Sequence, residues 1–490
     1  MASSSVANLP RLTSGLSSVS ATPREAMAPW GEAGLTGLIQ LAAAYQRDPV
    51  HAFAWVRRRY GPTAFFARPR NDVRMIRPMI VTTDPPLLRK LLTDPRFRNS
   101  SLTLSGPRDS AHRRLRHSIF RMHGEEHRRN RRLLTPAMQR KSVEGLHQAM
   151  VDVVRGVLAP YRPGETRDLA ADMKGIARQI AAASLFGLTD LSESEALGHR
   201  VEDWLSDSFK LQARLLPYNL PGSAYRAMLH KAVQLERVGL ELIERRRHDG
   251  AAGSDLLSHL VRRQQDSGDL TEAELLGHIH ILFLAAHETT SHALSWTLLL
   301  LGQHPEIFAQ ASEAVHAQLS GAAPSPADLG KLDVLERIID ESLRLFPIVP
   351  FGARIASEDL EIAGRPIARK TRVLIPFVTA HHDPEIFPEP QRFNPDRWLT
   401  SDPPPYTYLP FSAGLHMCIG VPFAKQSMMI TLAMLLKRAS YQLPDPIRVD
   451  RHTTITMSPK QGIPATIQAP DQTPRRVHLT GSANDLFGLT

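Results

Sequence analysis

The stretch FSAGLHMCIG, Phe411 to Gly420, holds Cys418, the only cysteine in 490 residues. The thiol follows His416 by two positions and lies between Gly414 and Gly420. Glycine lets a backbone turn tightly and approach a neighbour closely. An apolar run with helical spacing starts just after Cys418 and extends to about Lys437. A helix beginning there directs its free N–H groups and positive dipole end at the sulfur, which favours a thiolate. An isolated cysteine is otherwise more often inert packing.

Working outward, the composition bounds the rest. With 42% hydrophobic residues the chain can bury a large core. One cysteine forms no internal disulfide, so the sequence fits a reducing compartment, and a cytoplasmic location is expected. The net charge of +10 suits acidic partners. The arginine runs at 57–59, 113–114, 128–129, 131–132 and 245–247 lack the interleaved aromatics that stack nucleobases, so nucleic acid is not the expected partner. No segment reaches the roughly 18 uninterrupted apolar residues of a membrane span. Residues 1–35 read as a disordered Ser- and Ala-rich tail, with an organellar leader as the alternative. One domain is expected over 36–470, followed by a tail over 471–490.

Residues 62–84 alternate around the turn-like Arg70-Asn71-Asp72 and predict an antiparallel hairpin. Helical periodicity dominates from about 120 to 345, and short strands return over 351–378. The fold class is therefore mainly α with small antiparallel sheets, an α+β architecture. Thr271 with Glu274 forms a capping box, and Pro305 ends the run it opens. A helix of that extent is about 50 Å long and must cross the interior. Its middle, LFLAAHETTSH (Leu282–His292), places Glu288 and Thr289 inside an apolar stretch. A buried carboxylate is costly unless something satisfies or uses it.

Three chemistries compete. A zinc protease would place two histidines at i, i+4, but His287 and His292 are five apart, about 140° out of alignment. A cysteine hydrolase would pair Cys418 with a histidine base such as His416, without an evident third group. A haem iron would take Cys418 as its axial ligand, and a thiolate there favours O–O cleavage.

Phe411, Gly414, His416, Cys418 and Gly420 match every specified position of F-x-x-G-x-[RH]-x-C-x-G, and the chain resembles the cytochrome P450 family. The resemblance covers nearly everything after about residue 45. It implies the P450 fold, with a long central helix over haem b and Cys418 on the iron. It also implies that Ala285 to Thr290 form the oxygen-facing part of that helix. Ala286 stands where the family usually has glycine. Glu288 and Thr289 would relay protons to bound dioxygen; otherwise Thr289 simply bonds its own backbone. Glu341 and Arg344 match E-x-x-R, and the resemblance joins them to Arg392 of the segment Pro390–Phe393 as a bracing network. His127, Arg131, Arg354 and His416 correspond to donors for the haem propionates. Arg128, Arg129 and Arg132 would help dock an acidic electron donor.

By the same resemblance, Phe283, Ala286, Val349, Phe351 and Ile455 border a substrate pocket. Together these imply an oxygen-inserting enzyme using O2 on a hydrophobic small molecule. Electrons would come from a ferredoxin- or flavodoxin-type donor with its NAD(P)H reductase, since no such domain follows the catalytic part. A peroxide-driven enzyme and a non-catalytic haem carrier or sensor are the alternatives.

Overall fold

The computed structural model describes residues 27–66, 77–100, 106–250, 253 and 255–486. The helices that frame the interior are α1 (Ala111–Leu115), α2 (Gly124–Met138), α3 (Leu169–Phe186), α4 (Leu191–Phe209), α5 (Ala224–His248), α6 (Glu272–Gln303), α7 (Asp333–Leu345) and α8 (Val421–Arg438).

The central helix α6 starts as its sequence predicts. Thr271 Oγ1 accepts from the Glu274 N–H at 3.2 Å, and Glu274 accepts in return from the Thr271 N–H at 2.9 Å. It runs 32 residues, about 48 Å. Over its C-terminal half almost every residue is buried, because it is apolar on all sides and other elements enclose it. Phe283 stacks on Phe186 of α3, with ring centroids 5.5 Å apart. Trp296 stacks on Phe346 just beyond α7, at 4.3 Å. Aromatic pairs of this kind add to the area they bury. The helix α8 packs on α6 and α7, and the cysteine loop leads directly into its first turn.

A six-stranded sheet flanks this helical body, in the order Gly31–Ala33, Thr63–Phe66, Met79–Thr82, Arg372–Ile375, Gly352–Ala356, Phe97–Asn99. The expected hairpin is present, with Thr63–Phe66 antiparallel to Met79–Thr82; the turn at 70–72 lies outside the described residues. The sheet is mixed, since Gly31–Ala33 and Arg372–Leu374 each add in parallel. The remaining sheets among the described residues have two or three strands each, one of them joining Thr166–Asp168 to Pro464–Gln468.

Both expected tails carry structure where they are described. Residues 31–33 form an edge strand, and Trp30 packs on Phe65 at 6.1 Å; residues 1–26 lie outside the described part. Leu479–Thr480 pairs with Ile447–Arg448, and the Leu486 carbonyl lies 3.1 Å from His382 Nε2. Short polar segments lack the periodicity that marks an element, so backbone pairing of this kind leaves little trace in sequence.

Candidate active site around Cys418

The loop before α8 is held in one shape. Gly414 has φ +69, and a Cβ there would come within 2.2 Å of the Leu92 carbonyl, so only glycine fits. The Cys418 N–H donates to the Phe411 carbonyl at 3.0 Å, which explains why Phe411 belongs to the pattern through its backbone. Cys418 is exposed as a residue, yet surrounding protein raises its pKa by desolvation. A residue that is both open and ringed by protein lines an interior space. Two features oppose the rise: the Gly420 N–H points at the sulfur and the Arg131 charge lies nearby. Arg131 is itself fixed, its Nη1 donating to the Met417 carbonyl at 2.7 Å.

The middle of α6 shows the complementary surface. Ala285 is exposed there, and Ala286 and Thr289 are half-buried, while Leu282, Phe283, His287 and Thr290 are buried. Thr289 Oγ1 donates to the Ala285 carbonyl at 2.6 Å. Glu288 is turned about 100° around the helix from it, and accepts from Thr456 Oγ1 at 2.8 Å. The acid and the hydroxyl therefore answer to different neighbours, and both are half-buried.

At the loop's other side lies a cluster of cations and imidazoles. The rings of His127 and His416 are 4.1 Å apart, and His123 stands 5.9 Å from His416. Burial, then the charges of neighbours including Arg354 and Arg131, pushes His416 down to about 3. Burial and Arg98 bring His123 down to about 4. Arg354 is 6% exposed, and among the described residues its guanidinium's one hydrogen bond goes to the Ala353 carbonyl. Burial lowers it to about 10. His123 Nδ1 is buried without a hydrogen-bond partner among the described residues. A buried guanidinium without a carboxylate is unfavourable by itself, so this cluster fits an anionic group that enters with a ligand. A sulfur donor, a glycine-lined cradle and unneutralised donors together suit a haem with its two carboxylates.

The competing chemistries find no such support. Among the described residues, no cluster close enough to hold an ion includes His287, His292, His381, His382 or Cys418. His287 Nε2 instead faces Glu202 at 3.5 Å. His416 turns toward His127 and His123.

The bracing network differs from expectation at one residue. Glu341 and Arg344 are fully buried and paired at 2.9 Å. Arg392 gives Arg344 only its backbone carbonyl, at 3.2 Å, while its guanidinium is 65% exposed and pairs with Glu389. Arg397 takes the expected place, with Nε 3.2 Å from Glu341 Oε1, and Trp398 Nε1 donates to Oε2 at 3.1 Å. The sequence carries the P-x-R-aromatic pattern twice, at 390–393 and at 395–398. Only the second copy turns its arginine inward.

Of the expected pocket residues, Ala286 lies beside the open face of α6. Val349 is half-buried and Ile455 is exposed between the strands Arg451–Thr453 and Met457–Pro459. Phe283 points elsewhere, into the contact with α3, because it sits about 200° around the helix from Ala285. Phe351 packs with Phe53 at 5.3 Å and Tyr45 at 5.8 Å in a separate apolar cluster.

A family model described as Cytochrome P450 matches residues 32–464. The chain belongs to the cytochrome P450 family. Among similar proteins are cyclooctat-9-en-7-ol 5-monooxygenase of Streptomyces melanosporofaciens and pentalenene oxygenase of Streptomyces avermitilis. The first is 30% identical over 363 residues, 72% of this chain and 78% of the relative. The second is 30% identical over 374 residues, 73% and 80%. Among solved structures, the haem domain of cytochrome P450DA matches with TM-score 0.76 and 24% identity over 91% of this chain and 99% of that one. Retinoic acid-bound cyanobacterial CYP120A1 matches with TM-score 0.74 and 23% identity, over 84% and 93%. The protein is a P450 monooxygenase of the mainly helical P450 fold, and its family works with a thiolate-held haem and a redox partner. No helix among the described residues is long and apolar enough to cross a membrane.

Proposed function

We propose that this P450 binds haem b through Cys418 and inserts one oxygen atom from O2 into a hydrophobic small molecule. Its electrons come from a ferredoxin- or flavodoxin-type donor served by an NAD(P)H reductase, in the cytoplasm. The observation that carries this reading is the lone thiol, open to the interior, with the Gly420 N–H aimed at it. Relatives named for cyclooctat-9-en-7-ol and pentalenene support the hydrophobic substrate.

When bound, a thiolate-held haem supplies the activation of O2 for insertion. The chain's own residues do the rest. Cys418 would give the sulfur ligand, with the Gly420 amide and the Arg131 charge opposing the burial that raises its pKa. His127, Arg131, Arg354 and His416 would hold the propionates, with His123 as a further donor. Arg354 suits that role because its planar fork matches a carboxylate. Thr289 Oγ1, bonded to the Ala285 carbonyl, and Glu288, anchored by Thr456, are the groups that would hold protons for O2 activation. The catalytic unit spans the expected 36–470 together with the docked flanks on either side. Arg128 and Arg132 on α2, with exposed Leu415 and Met417 of the cysteine loop, form the face for the acidic donor.

The test is the absorption spectrum of the reduced, carbon-monoxide-bound protein. Wild type should show the red-shifted main band of a thiolate ligand, and Cys418→Ser should lose it. A wild-type band at the position given by a nitrogen ligand would overturn the reading.

A further inference from the structure

His287 on α6 makes a contact that the oxygen chemistry does not use. The residue is buried and points about 200° around the helix from Thr289. Its Nδ1 lies 2.9 Å from the Phe283 carbonyl. A carbonyl only accepts, so Nδ1 carries a hydrogen, and in the neutral ring Nε2 is left with a bare lone pair. Nε2 faces Glu202 Oε1 of α4 at 3.5 Å. Both atoms are buried, and neither has a hydrogen bond among the described residues.

Two buried acceptors aimed at each other are unfavourable. One proton on Nε2 removes the conflict and makes the contact a charge-assisted bond. The surroundings keep the carboxylate charged for that role. Burial pushes Glu202 up, but His287 and Lys174 of α3 outweigh it and bring the group down to about 2. Lys174 Nζ occupies the other oxygen, Oε2, at 2.7 Å. On α6 itself, burial, then the charges of His287 and Lys174, lowers His292 to about 4, so it is uncharged near neutrality. His452 of the strand Arg451–Thr453 acts on His292, and Glu288 is engaged by Thr456.

The contact joins two helices that otherwise touch little. α3 lies along α6, whereas α4 meets α6 lightly and packs mainly on α5. Among the described residues, Glu202 with His287 is the one ion pair between α4 and α6. It grips α6 at the position directly before Glu288 and two before Thr289. Beyond its C-terminal end α4 leads toward Leu215, Leu216, Tyr218 and Leu220, all exposed, which add little to hold it. We propose that Glu202 is a positioning residue: it shares one proton with His287 and so clasps α4 to the turn of α6 that carries Glu288 and Thr289. The clasp is complete while the pair holds its proton. As pH rises and the proton leaves, the two acceptors are bare again and the stabilisation is lost. The clasp itself needs the helices and not the haem; its effect on oxygen use rests on the proton-supplying role given to Glu288 and Thr289.

The experiment is hydrogen exchange of the haem-loaded enzyme, read by mass spectrometry on peptides from 191–209 at pH 6 and pH 9 and corrected for the intrinsic pH dependence of exchange. Wild type should lose about tenfold in protection of α4 between the two, as loss of one charge-assisted bond does. Glu202→Gln keeps an oxygen for Lys174 and offers His287 Nε2 an N–H that never titrates, so its α4 should stay protected at both. His287→Phe should be unprotected at both. Lys174→Met leaves Oε1 in place and should keep the wild-type step. A wild type without the step, a step of equal size in Glu202→Gln, or loss of the step in Lys174→Met, which would assign it to the ammonium, overturns the proposal. Glu202 is partly exposed, so Glu202→Gln keeps the fold and decides the matter if His287→Phe unfolds. Positioning is read from product formed per NAD(P)H consumed, which should fall between the same pH values more steeply in wild type than in Glu202→Gln; parallel falls overturn that role. A wrong thiolate reading would appear in the carbon monoxide spectrum and leave the exchange step unchanged.

Discussion

Arg397 Nε lies 3.2 Å from Glu341 Oε1 across 56 residues of sequence, and both side chains are buried. Glu341 also accepts from Arg344, from the Asn394 N–H at 3.1 Å and from Trp398 Nε1. A buried carboxylate so fully bonded fixes α7 against the loop that leads to the thiol. Removing Arg397 takes away one of the two cations on Glu341 and leaves Arg344 in place. Arg397→Ala should therefore cost about 1–3 kcal/mol, whereas Arg392→Ala should stay within about 0.5 kcal/mol. Urea unfolding of the two variants distinguishes them, and equal losses would contradict this arrangement.

Gly414→Ala should disorder the cysteine loop. The left-handed backbone alone costs about 1–3 kcal/mol for a residue with a side chain, and the Leu92 carbonyl leaves no room for a methyl. Haem content per chain and the reduced carbon monoxide band should both fall. A variant that loads haem normally would show that Leu92 yields.

Acid should destabilise the haem-free protein more than the loaded one. His416 titrates at about 3 and His123 at about 4 in the fold, against an unfolded value of about 6.5. Below that value the unfolded chain binds more protons, so stability is full above about pH 6.5 and falls as pH drops toward 4. Propionates would raise these folded values and shrink the loss. Urea midpoints at pH 7 and pH 5, with and without haem, measure the difference; identical slopes would remove the propionate role from this cluster.

Thr289→Ala should keep binding and spoil coupling, lowering product formed per NAD(P)H consumed several-fold, within the roughly 10²–10⁴ range of proton-transfer effects. Thr456→Val frees Glu288 from its anchor and should act in the same direction more weakly. Peroxide release is the companion measurement. An unchanged product ratio in Thr289→Ala would fit a peroxide-driven enzyme.

Charge reversal at Arg128 and Arg132 should slow reduction by an acidic ferredoxin, and salt should slow wild type but hardly affect the reversed variant. Stopped-flow reduction across ionic strength reads both. Rates indifferent to charge and salt would place the donor elsewhere.

Much of this was legible because the decisive features are local. Thr271 and Glu274 cap their own helix, and Gly414, Cys418 and Gly420 act within one loop, so spacing along the chain already encodes their geometry. Phe283 illustrates the opposite case. Its helix was readable, but the side of the helix facing a neighbour depends on where α3 packs. Arg392 and Arg397 make the same point, since both satisfy one short pattern and nothing nearby in sequence separates them.

The sequence by itself therefore determined the long capped helix, the glycine-bounded thiol loop, the mainly helical class and the motifs of the family. Tertiary packing alone decided which arginine closes on Glu341, that Glu288 turns to Thr456, and that His287 faces Glu202. The physical reason is range. Capping, turns and helix periodicity act over a few residues, while burial and charge pairing depend on neighbours brought together only by the finished fold.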